Sequence, residues 1–336
     1  MKPFLVDVPV KINIWIRPEC QRKQFEVIKK VRPSILFVTS DGGRNPAEWK
    51  KIKANRKIYD EEIDWDCTVY KLYMDHNCGM YEMGERRAEL IWNKVDRCIF
   101  LEDDDIPSES FFRFCAELLD KYKDDYRIYS ISGLNYFGEY DRTDNDYFFS
   151  GEACIWGIAY WKRSYIQRLT PIPEDNSYEL ECIKDVASHE KKGYEKIVQG
   201  YSTNRYYKGH IASDEFYKNY TRFSEHQLSI IPKYNLISNV GYGEDGAHTD
   251  KFSQLPKSVQ RIYQLPTYEL SFPLKHPRHI VADLKYDRYV NKVLCWNHPV
   301  LLFCRRIEHA FRCLVHGDIK RIFHGIMNLF KVRHER

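Results

Sequence analysis

Several features that would assign a function class directly are missing from the 336-residue sequence. Its ten cysteines include no Cys-x-x-Cys pair, which argues against a zinc ribbon or a thioredoxin-like redox site. No apolar run reaches the ~18 residues of a membrane-spanning helix, and residues 1–9 lack the long apolar segment of a signal peptide. The formal net charge of +4 is too small to indicate a nucleic-acid-binding protein.

The cysteines that are present favour a reducing compartment. Cys98, Cys115 and Cys154 lie inside apolar runs, where small buried thiols are common. We therefore expect a cytoplasmic protein. Aromatic residues are plentiful, with 25 Tyr, 18 Phe and 7 Trp, and they can supply both a core and stacking surfaces for sugars or bases.

Strand and helix patterns alternate along the first part of the chain. Strands are predicted over 11–16, 35–39, 69–73, 98–101 and 127–132, and helices over 25–31, 81–94 and 111–122. This alternation predicts an α/β fold with a mostly parallel sheet, flanked by helices, over roughly the first 135 residues.

The later part of the chain is less regular. Residues 135 to about 250 are rich in Tyr, Gly, Asn and Trp and are interpreted as binding loops attached to the sheet. Four prolines between 256 and 277 indicate a linker or an extended wrap, and 286–332 has helical patterns. We expect one domain over 1–255, with halves at about 10–135 and 136–255, followed by a linker and a C-terminal helical extension over 256–336.

The most informative stretch is the acidic run that follows the strand at 98–101. Glu102, Asp103, Asp104 and Asp105 repel one another, and a bound cation would relieve that repulsion. Oxygen-rich clusters suit Mg²⁺ or Mn²⁺, which bridge to phosphates. The alternative is a solvated acidic loop that precedes a helix, where carboxylates favour the positive end of the helix dipole.

Other polar residues follow neighbouring strands of the predicted sheet. Asp41 and Arg44 come after the strand at 35–39, and Arg17 after the first strand. Because ligands of parallel α/β sheets bind beyond the carboxyl ends of strands, these residues are predicted to share one edge with the acidic run. Carboxylates for a cation and guanidinium groups for phosphate together indicate a nucleotide-diphosphate ligand. For each arginine alone, a surface ion pair is an equal alternative.

An ordered set of short segments resembles a known family. The segments are Ser40-Asp41-Gly42-Gly43-Arg44, Phe100-Leu101-Glu102-Asp103-Asp104-Asp105-Ile106-Pro107, Phe111-Phe112-Arg113-Phe114-Cys115, Ile131-Ser132-Gly133-Leu134-Asn135, Ile155-Trp156-Gly157, Tyr160-Trp161-Lys162-Arg163 and a stretch from Leu228 to Thr249. Together they resemble bacterial nucleotide-diphospho-sugar transferases of the GT-A fold, a Rossmann-like fold. More distantly, they are similar to eukaryotic β-1,2-N-acetylglucosaminyltransferases. The resemblance covers about residues 10 to 250.

The resemblance implies roles on the donor side. Asp41 would bind the nucleotide base, and Arg17 would lie near the base or the diphosphate. Glu102 and Asp103 would face the ribose and the donor sugar, and Asp104 would bind the metal. The additional acid leaves a second register open, since Asp103-x-Asp105 also fits an Asp-x-Asp motif.

Further roles are implied downstream. His248 matches a second metal ligand of many GT-A enzymes, with a surface loop histidine as the alternative. Glu215 matches the general base that deprotonates an acceptor hydroxyl, Asp214 is the second candidate, and a solvated helix start is the third. Trp156 and Gly157 would lie near the donor sugar, unless the tryptophan is a core residue beside a turn glycine.

The function implied by the resemblance is a metal-dependent glycosyltransferase that uses Mn²⁺ or Mg²⁺ and a UDP-sugar or related donor. The reaction would be an inverting displacement by a hydroxyl of a glycan or lipid-linked glycan, in bacterial surface polysaccharide synthesis. The alternative is a non-catalytic carbohydrate-binding or scaffold protein on a degenerate transferase fold. The basic, apolar segment over 300–331 indicates either peripheral contact with the inner face of the membrane or a helical cap or dimer contact.

Overall fold

The protein is described by a computed structural model, which covers residues 1–152, 156–167, 178, 181–182, 206–207, 210–211, 221–242, 251–295, 298–319 and 321. Its first part alternates strands and helices. The elements are β1 (Val6–Ile14), α1 (Pro18–Val31), β2 (Pro33–Ser40), α2 (Pro46–Glu61), β3 (Thr68–Tyr73), α3 (Met80–Trp92), β4 (Arg97–Leu101), β5 (Asp105–Pro107), α4 (Glu109–Lys121) and β6 (Ile128–Ser132).

The later part contributes shorter strands and then helices. The elements are β7 (Tyr147–Ser150), β8 (Ile158–Trp161), α5 (Lys162–Gln167), β9 (Tyr206–Tyr207), β10 (His210–Ile211), β11 (Leu228–Pro232), β12 (Ile237–Asn239), α6 (Lys257–Tyr263), α7 (Leu284–Leu294) and α8 (Pro299–Val315). None of the helices in the described part of the chain is long and apolar enough to cross a membrane.

Eight strands form one sheet in the order β3-β2-β1-β4-β8-β6-β11-β7. Six of them run in one direction, whereas β7 and β8 run in the other. In β1, Ile12 pairs with Val38 of β2 on one side and with Leu101 of β4 on the other. The segments that follow β1, β2 and β4 therefore meet at one edge of a Rossmann-like sheet, where α/β proteins bind ligands.

The core explains why these elements form. Val8, Val10 and Ile12 of β1 point to one face of the sheet and are fully buried, and Lys11, which points to the other face, is fully buried as well. Helix α1 places Phe25 and Ile28 against that core. The helix ends at Val31, after which the chain takes a left-handed conformation and enters β2 at a proline.

The predicted mixed α/β class, with a mostly parallel sheet, flanking helices and C-terminal helices, is confirmed. All eight elements predicted before residue 135 are present, with ends that differ by a few residues or, for the first helix, by about two turns. The interpretation of residues 135 to about 250 as binding loops was wrong for β7, β8 and β11, which are strands of the main sheet. The residues of these strands are buried almost throughout, so the sequence shows no alternation of apolar and polar residues there.

The proline-containing segment after α6 packs closely against the sheet domain. The amide of Tyr268 donates to the carbonyl of Asn235, and that of Asp283 donates to the carbonyl of Phe149. Leu274 is buried in the same core cluster as β1. The predicted extended wrap thus describes this segment, while the division into domains at residue 255 stays a prediction.

Candidate active site

The acidic run occupies the sheet edge that the sequence predicted. Residues 102–105, called the acidic loop below, connect the carboxyl end of β4 to the short strand β5. Helix α1 lies on one side of this loop. On the other side lies the segment 237–241, called the cover segment, which includes β12. The site is therefore built from parts of the chain that are more than 130 residues apart.

Arg17 binds two of the four acids. Its Nε and Nη2 atoms donate to the carboxylate of Asp103 at 2.8 and 2.9 Å, and Nη1 donates to Asp104 at 2.7 Å. Burial alone would lower the pKa of Arg17, but the two carboxylates raise it above its usual value. At Asp103, burial and the Asp104 charge outweigh Arg17 and raise the pKa to about 6. All three side chains keep a small exposed fraction, between 10% and 16%.

Asp105 has a different environment. It is fully buried, and its carboxyl accepts hydrogen bonds from the amides of Glu102 and Gly157 at 3.1 and 3.0 Å. Burial and the nearby acids raise its pKa well above the usual range. Asp105 therefore fastens the acidic loop to the segment before β8. Of the acids in the two candidate registers, Asp103 and Asp104 are the ones that reach solvent.

Glu102 points into a separate polar network. It accepts hydrogen bonds from Lys11 Nζ at 3.1 Å and from the side-chain amide of Asn13. Arg87 donates to Asn13 Oδ1 at 3.0 Å. Partial desolvation opposes ionisation of Glu102, whose side chain is 48% exposed, but the charges of Lys11 and Arg87 lower its pKa to about 2. Lys11 is fully buried in β1, and burial together with Arg87 lowers its pKa to about 8.

Two glutamines of α1 hold the backbone of the acidic loop. Gln24 Nε2 donates to the carbonyls of Glu102 and Asp105 at 2.6 and 2.7 Å. Gln21 Nε2 donates to the carbonyl of Asn13 at 3.0 Å and to that of Asp103 at 3.4 Å. Both glutamines are fully buried on the same face of α1 as Phe25. They fix the loop without using any of its carboxylates.

The cover segment completes the site from the opposite side. Asn239 Nδ2 donates to Asp104 at 2.9 Å and to Asp105 at 3.3 Å, and Asn239 also pairs with Asp105 through β12 and β5. The amide of Val240 donates to the carbonyl of Asp104 at 3.0 Å. A Cβ atom at Gly241 would collide with Asp104 and Arg17, so this close approach requires glycine.

Asp41, which is predicted to lie on the donor side, has partners other than Arg17 in the described structure. The carboxylate of Asp41 accepts hydrogen bonds from the amides of Gly42, Cys78 and Gly79 and from the side chain of Asn77. These contacts fill the lone pairs of the carboxylate. Binding of a nucleotide base by Asp41 stays a prediction, and it would require one of these contacts to be released.

Arg44 forms the surface ion pair that the sequence left open as an alternative to phosphate binding. It forms an exposed ion pair with Glu48 at 2.6 Å. Its guanidinium also lies over the ring of Trp15 at 5.5 Å. The phosphate-binding role predicted for Arg44 remains untested.

Trp156 and Gly157 lie next to the acidic loop. Trp156 contacts Tyr263 of α6, with 5.0 Å between ring centroids. Gly157 has φ +56°, and a Cβ there would lie 2.5 Å from Cδ1 of Ile237. Its amide binds Asp105, so the conformation of this glycine is part of the support of the loop.

Three predicted catalytic or metal-binding residues, Asp214, Glu215 and His248, lie outside the described residues. Among the residues that are described, no three His, Cys, Asp or Glu side chains form a ready-made metal site. Proteins often hold Mg²⁺ with one or two carboxylates and take the other ligands from phosphate and water. Asp104 and Asp103 fit such a cation, provided that Arg17 gives up its contact with Asp104.

Sequence reasoning missed the residues that support the acids: Lys11, Asn13, Gln21, Gln24, Arg87, Asn239 and Gly241. A signal existed for two of them. Lys11 and Asn13 alternate with Ile12 and Ile14 in a strand that is buried on both faces, where polar side chains need partners. The partners of Gln21, Gln24 and Asn239 depend on tertiary structure, and a single sequence does not reveal them.

No family model and no curated protein sequence matches this chain. Among solved structures, it is similar to the mannosyltransferase PcManGT from Pyrobaculum calidifontis, solved in complex with GDP-Man and Mn²⁺. The TM-score is 0.36 and the sequence identity is 8%, over 66% of this chain and 70% of that chain. A similarity of this size carries no argument about function.

Proposed function

We propose that the protein is a metal-dependent glycosyltransferase that moves a sugar from a nucleotide-diphosphate donor to a hydroxyl of a glycan acceptor. The observation that supports this most is the arrangement of Arg17 with Asp103 and Asp104. A guanidinium and two partly accessible carboxylates lie together at the carboxyl edge of a Rossmann-like sheet. Guanidinium groups bind phosphate, and carboxylates bind the cations that accompany diphosphates.

The proposal assigns roles to the described residues of the candidate site. Asp104 would hold Mn²⁺ or Mg²⁺. When bound, the cation would neutralise charge on the leaving nucleoside diphosphate. Arg17 would turn from Asp104 toward the diphosphate, while Gln21, Gln24 and Asn239 keep the acidic loop in place. Glu102 and Asp103 would face the ribose and the donor sugar, and Trp156 and Gly157 would lie near that sugar.

The finer parts of the proposal follow the family resemblance. The donor would be a UDP-linked hexose or N-acetylhexosamine, and the reaction an inverting displacement with Glu215, or else Asp214, as the base. Asp41 would bind the base, Arg44 would add positive charge near the phosphates, and His248 would be a second metal ligand. The acceptor would be a bacterial surface glycan or its lipid-linked precursor.

One observation favours the alternative, a non-catalytic protein on the same fold. Arg17 pairs with the carboxylates of both Asp103 and Asp104, the groups that a cation would need. In that case Arg17 would be a permanent partner of the acids, and sugar nucleotides would neither bind nor turn over.

Donor binding and hydrolysis separate the two readings. The protein is screened by thermal shift against a panel of sugar nucleotides with and without Mn²⁺, since a ligand that binds the native state raises the melting temperature. Hits are then tested for release of the nucleoside diphosphate. We expect metal-dependent stabilisation and turnover that Asp104→Asn reduces by about 100-fold or more, as for lost electrostatic stabilisation. Absence of both binding and turnover across the panel would falsify the proposed activity.

Asp105→Asn distinguishes the two registers. Because Asp105 is buried and holds backbone amides, this variant is expected to lower stability and to leave the dependence on Mn²⁺ concentration unchanged. Asp104→Asn is expected to shift that dependence to higher Mn²⁺. The reverse result would assign the metal to Asp105.

A further inference from the structure

Helix α8 packs on the rest of the protein through its polar face. Glu308 accepts a hydrogen bond from the amide of Lys257 at 2.9 Å. Arg312 donates to the carbonyl of Ser253 at 3.2 Å, and Arg305 donates to that of Val293 at 2.7 Å. These charged residues therefore fix the orientation of the helix against α6, α7 and the turn before α6.

The opposite face of α8 is apolar and points outward. Six of its side chains are between 53% and 72% exposed, and they are Val300, Phe303, Ile307, Phe311, Leu314 and Val315. Phe303, Ile307, Phe311 and Leu314 recur every three or four residues and so form one stripe. A surface helix of a globular protein normally turns its apolar stripe inward. The reversed arrangement marks an interaction surface.

The charge of the surrounding chain indicates the partner. Residues 251–336 contain 16 Lys and Arg against 6 Asp and Glu, whereas residues 1–250 contain 36 against 42. Exposed basic side chains lie on α7 at Lys285, Arg288 and Lys292, and Arg306 is exposed on α8 itself. Within the C-terminal described residues, Asp283, Glu308 and Asp318 are paired with arginines, and Asp287 is buried.

We propose that α8 binds the surface of an anionic lipid membrane, with its apolar stripe at the boundary between headgroups and acyl chains. Amphipathic helices bind this way when an apolar face is combined with positive charge, and each nearby Lys or Arg adds attraction to anionic lipid. The polar face of α8 is already satisfied by the protein, so the helix can dock without losing its own contacts. The inference is independent of the proposed activity.

Vesicle sedimentation with the full chain tests the proposal. Vesicles of phosphatidylcholine alone are compared with vesicles that also contain about 30% phosphatidylglycerol, an anionic lipid. We expect binding to the anionic vesicles, weakened by salt. The Phe303→Ser, Phe311→Ser double variant is expected to bind at least about tenfold more weakly, because two apolar anchors are lost. The matched control is Phe4→Ser with Leu5→Ser, two exposed apolar residues outside α8, which should bind as the wild type does.

Charge is tested separately with Lys285→Gln, Arg288→Gln and Lys292→Gln combined. This variant is expected to lose most of the preference for anionic over neutral vesicles. Circular dichroism and thermal melts identify any variant that fails to fold. If the Phe303→Ser, Phe311→Ser variant fails to fold, Ile307→Ser replaces it.

Three results would overturn the proposal. They are no binding of the wild type to either vesicle, equal binding by the Phe303, Phe311 variant, and a wild-type dimer that this variant converts to monomer without any lipid binding. The last result would assign the stripe to an interface between two copies. Donor hydrolysis in solution should not change in the variant, so failure of the membrane proposal and failure of the proposed activity remain distinguishable.

Discussion

The guanidinium of Arg17 spans the carboxylates of Asp103 and Asp104, with contacts of 2.7 to 2.9 Å. One positive charge thus relieves the repulsion between two adjacent acids. A divalent cation that approaches Asp104 must compete with this contact. Free metal is therefore expected to bind weakly, and a diphosphate that draws Arg17 away should strengthen its binding.

The first prediction is that Arg17→Gln binds Mn²⁺ more tightly than the wild type in the absence of nucleotide. Hydrogen bonds to charged groups contribute about 1.5–3 kcal/mol, so removal of the competing guanidinium should lower the dissociation constant by about tenfold or more. Titration followed by the electron paramagnetic resonance signal of free Mn²⁺ measures this directly. Arg44→Gln, which removes an exposed arginine paired with Glu48, is the matched control. Equal Mn²⁺ affinities of the Arg17 variant and the wild type would contradict the competition.

The second prediction concerns Gly157. Its positive φ and the 2.5 Å approach that a Cβ would make to Ile237 mean that Gly157→Ala strains the chain where it binds Asp105. We expect a loss of about 1–3 kcal/mol in the free energy of unfolding, measured by urea denaturation. Gly84→Ala is the control, since Gly84 is helical and its added Cβ would have only Arg87 nearby, at 3.9 Å. That change should be neutral or stabilise by about 0.5–1 kcal/mol. A destabilisation no larger at Gly157 than at Gly84 would rule out the strain.

The third prediction concerns the buried glutamine that binds the acidic loop. Gln24→Leu leaves the carbonyls of Glu102 and Asp105 without this donor. The carbonyl of Glu102 still accepts from the amide of Asp105 at 3.3 Å. The expected loss in the free energy of unfolding is therefore that of one unsatisfied buried polar group, about 1–3 kcal/mol. Lys23→Leu places the same residue at the neighbouring exposed position of α1 and should change it by less than about 0.5 kcal/mol. A tolerated Gln24→Leu would mean that the loop does not need this support.

The fourth prediction concerns pH. Burial lowers the pKa of Lys11 from 10.5 to about 8, so between those values the unfolded chain holds a proton that the native protein has lost. The contribution of Lys11 to the free energy of unfolding therefore rises with pH between those two values. Relative to Lys11→Met, the wild type should gain up to about 3 kcal/mol between pH 8 and pH 10.5. Denaturant unfolding at several pH values measures the difference.

Lys50→Met, at an exposed position of α2, controls for the general loss of a lysine. The difference between wild type and Lys50→Met should stay nearly constant over the same pH range. A constant difference for Lys11→Met as well would show that Lys11 does not lose its proton on folding in this window.

The sequence was informative where a pattern is local. The strands that precede Arg17, Asp41 and the acidic run were predicted, because an alternating pattern or an apolar run ends there at a proline, a turn signal or charged residues. The sequence was least informative for β7, β8 and β11, whose residues are buried almost throughout and show no alternation of apolar and polar residues. The shared edge for Arg17 and the acids followed from the general rule for parallel sheets.

The detailed contacts could not be predicted. Whether an acid such as Asp105 faces inward or reaches solvent is decided by Gly157 and Asn239, which lie 52 and 134 positions away in the sequence. The destination of Arg44 was likewise open, because Glu48 one helical turn later competes with any ligand. Tertiary packing settles the question for Asp105, whereas the Arg44–Glu48 pair is a local i,i+4 contact whose competition with a ligand the spacing alone does not decide.

The pairing of β5 with β12 has a consequence for engineering. Because Asn239 and Gly241 complete the loop that carries Asp104, the part of the chain up to residue 135 is not an exchangeable module. A chimera that takes residues up to 135 from this chain and the rest from another protein of the same fold would lose the hydrogen bond from Asn239 to Asp104. A graft of the acidic loop must therefore include residues 237–241 as well.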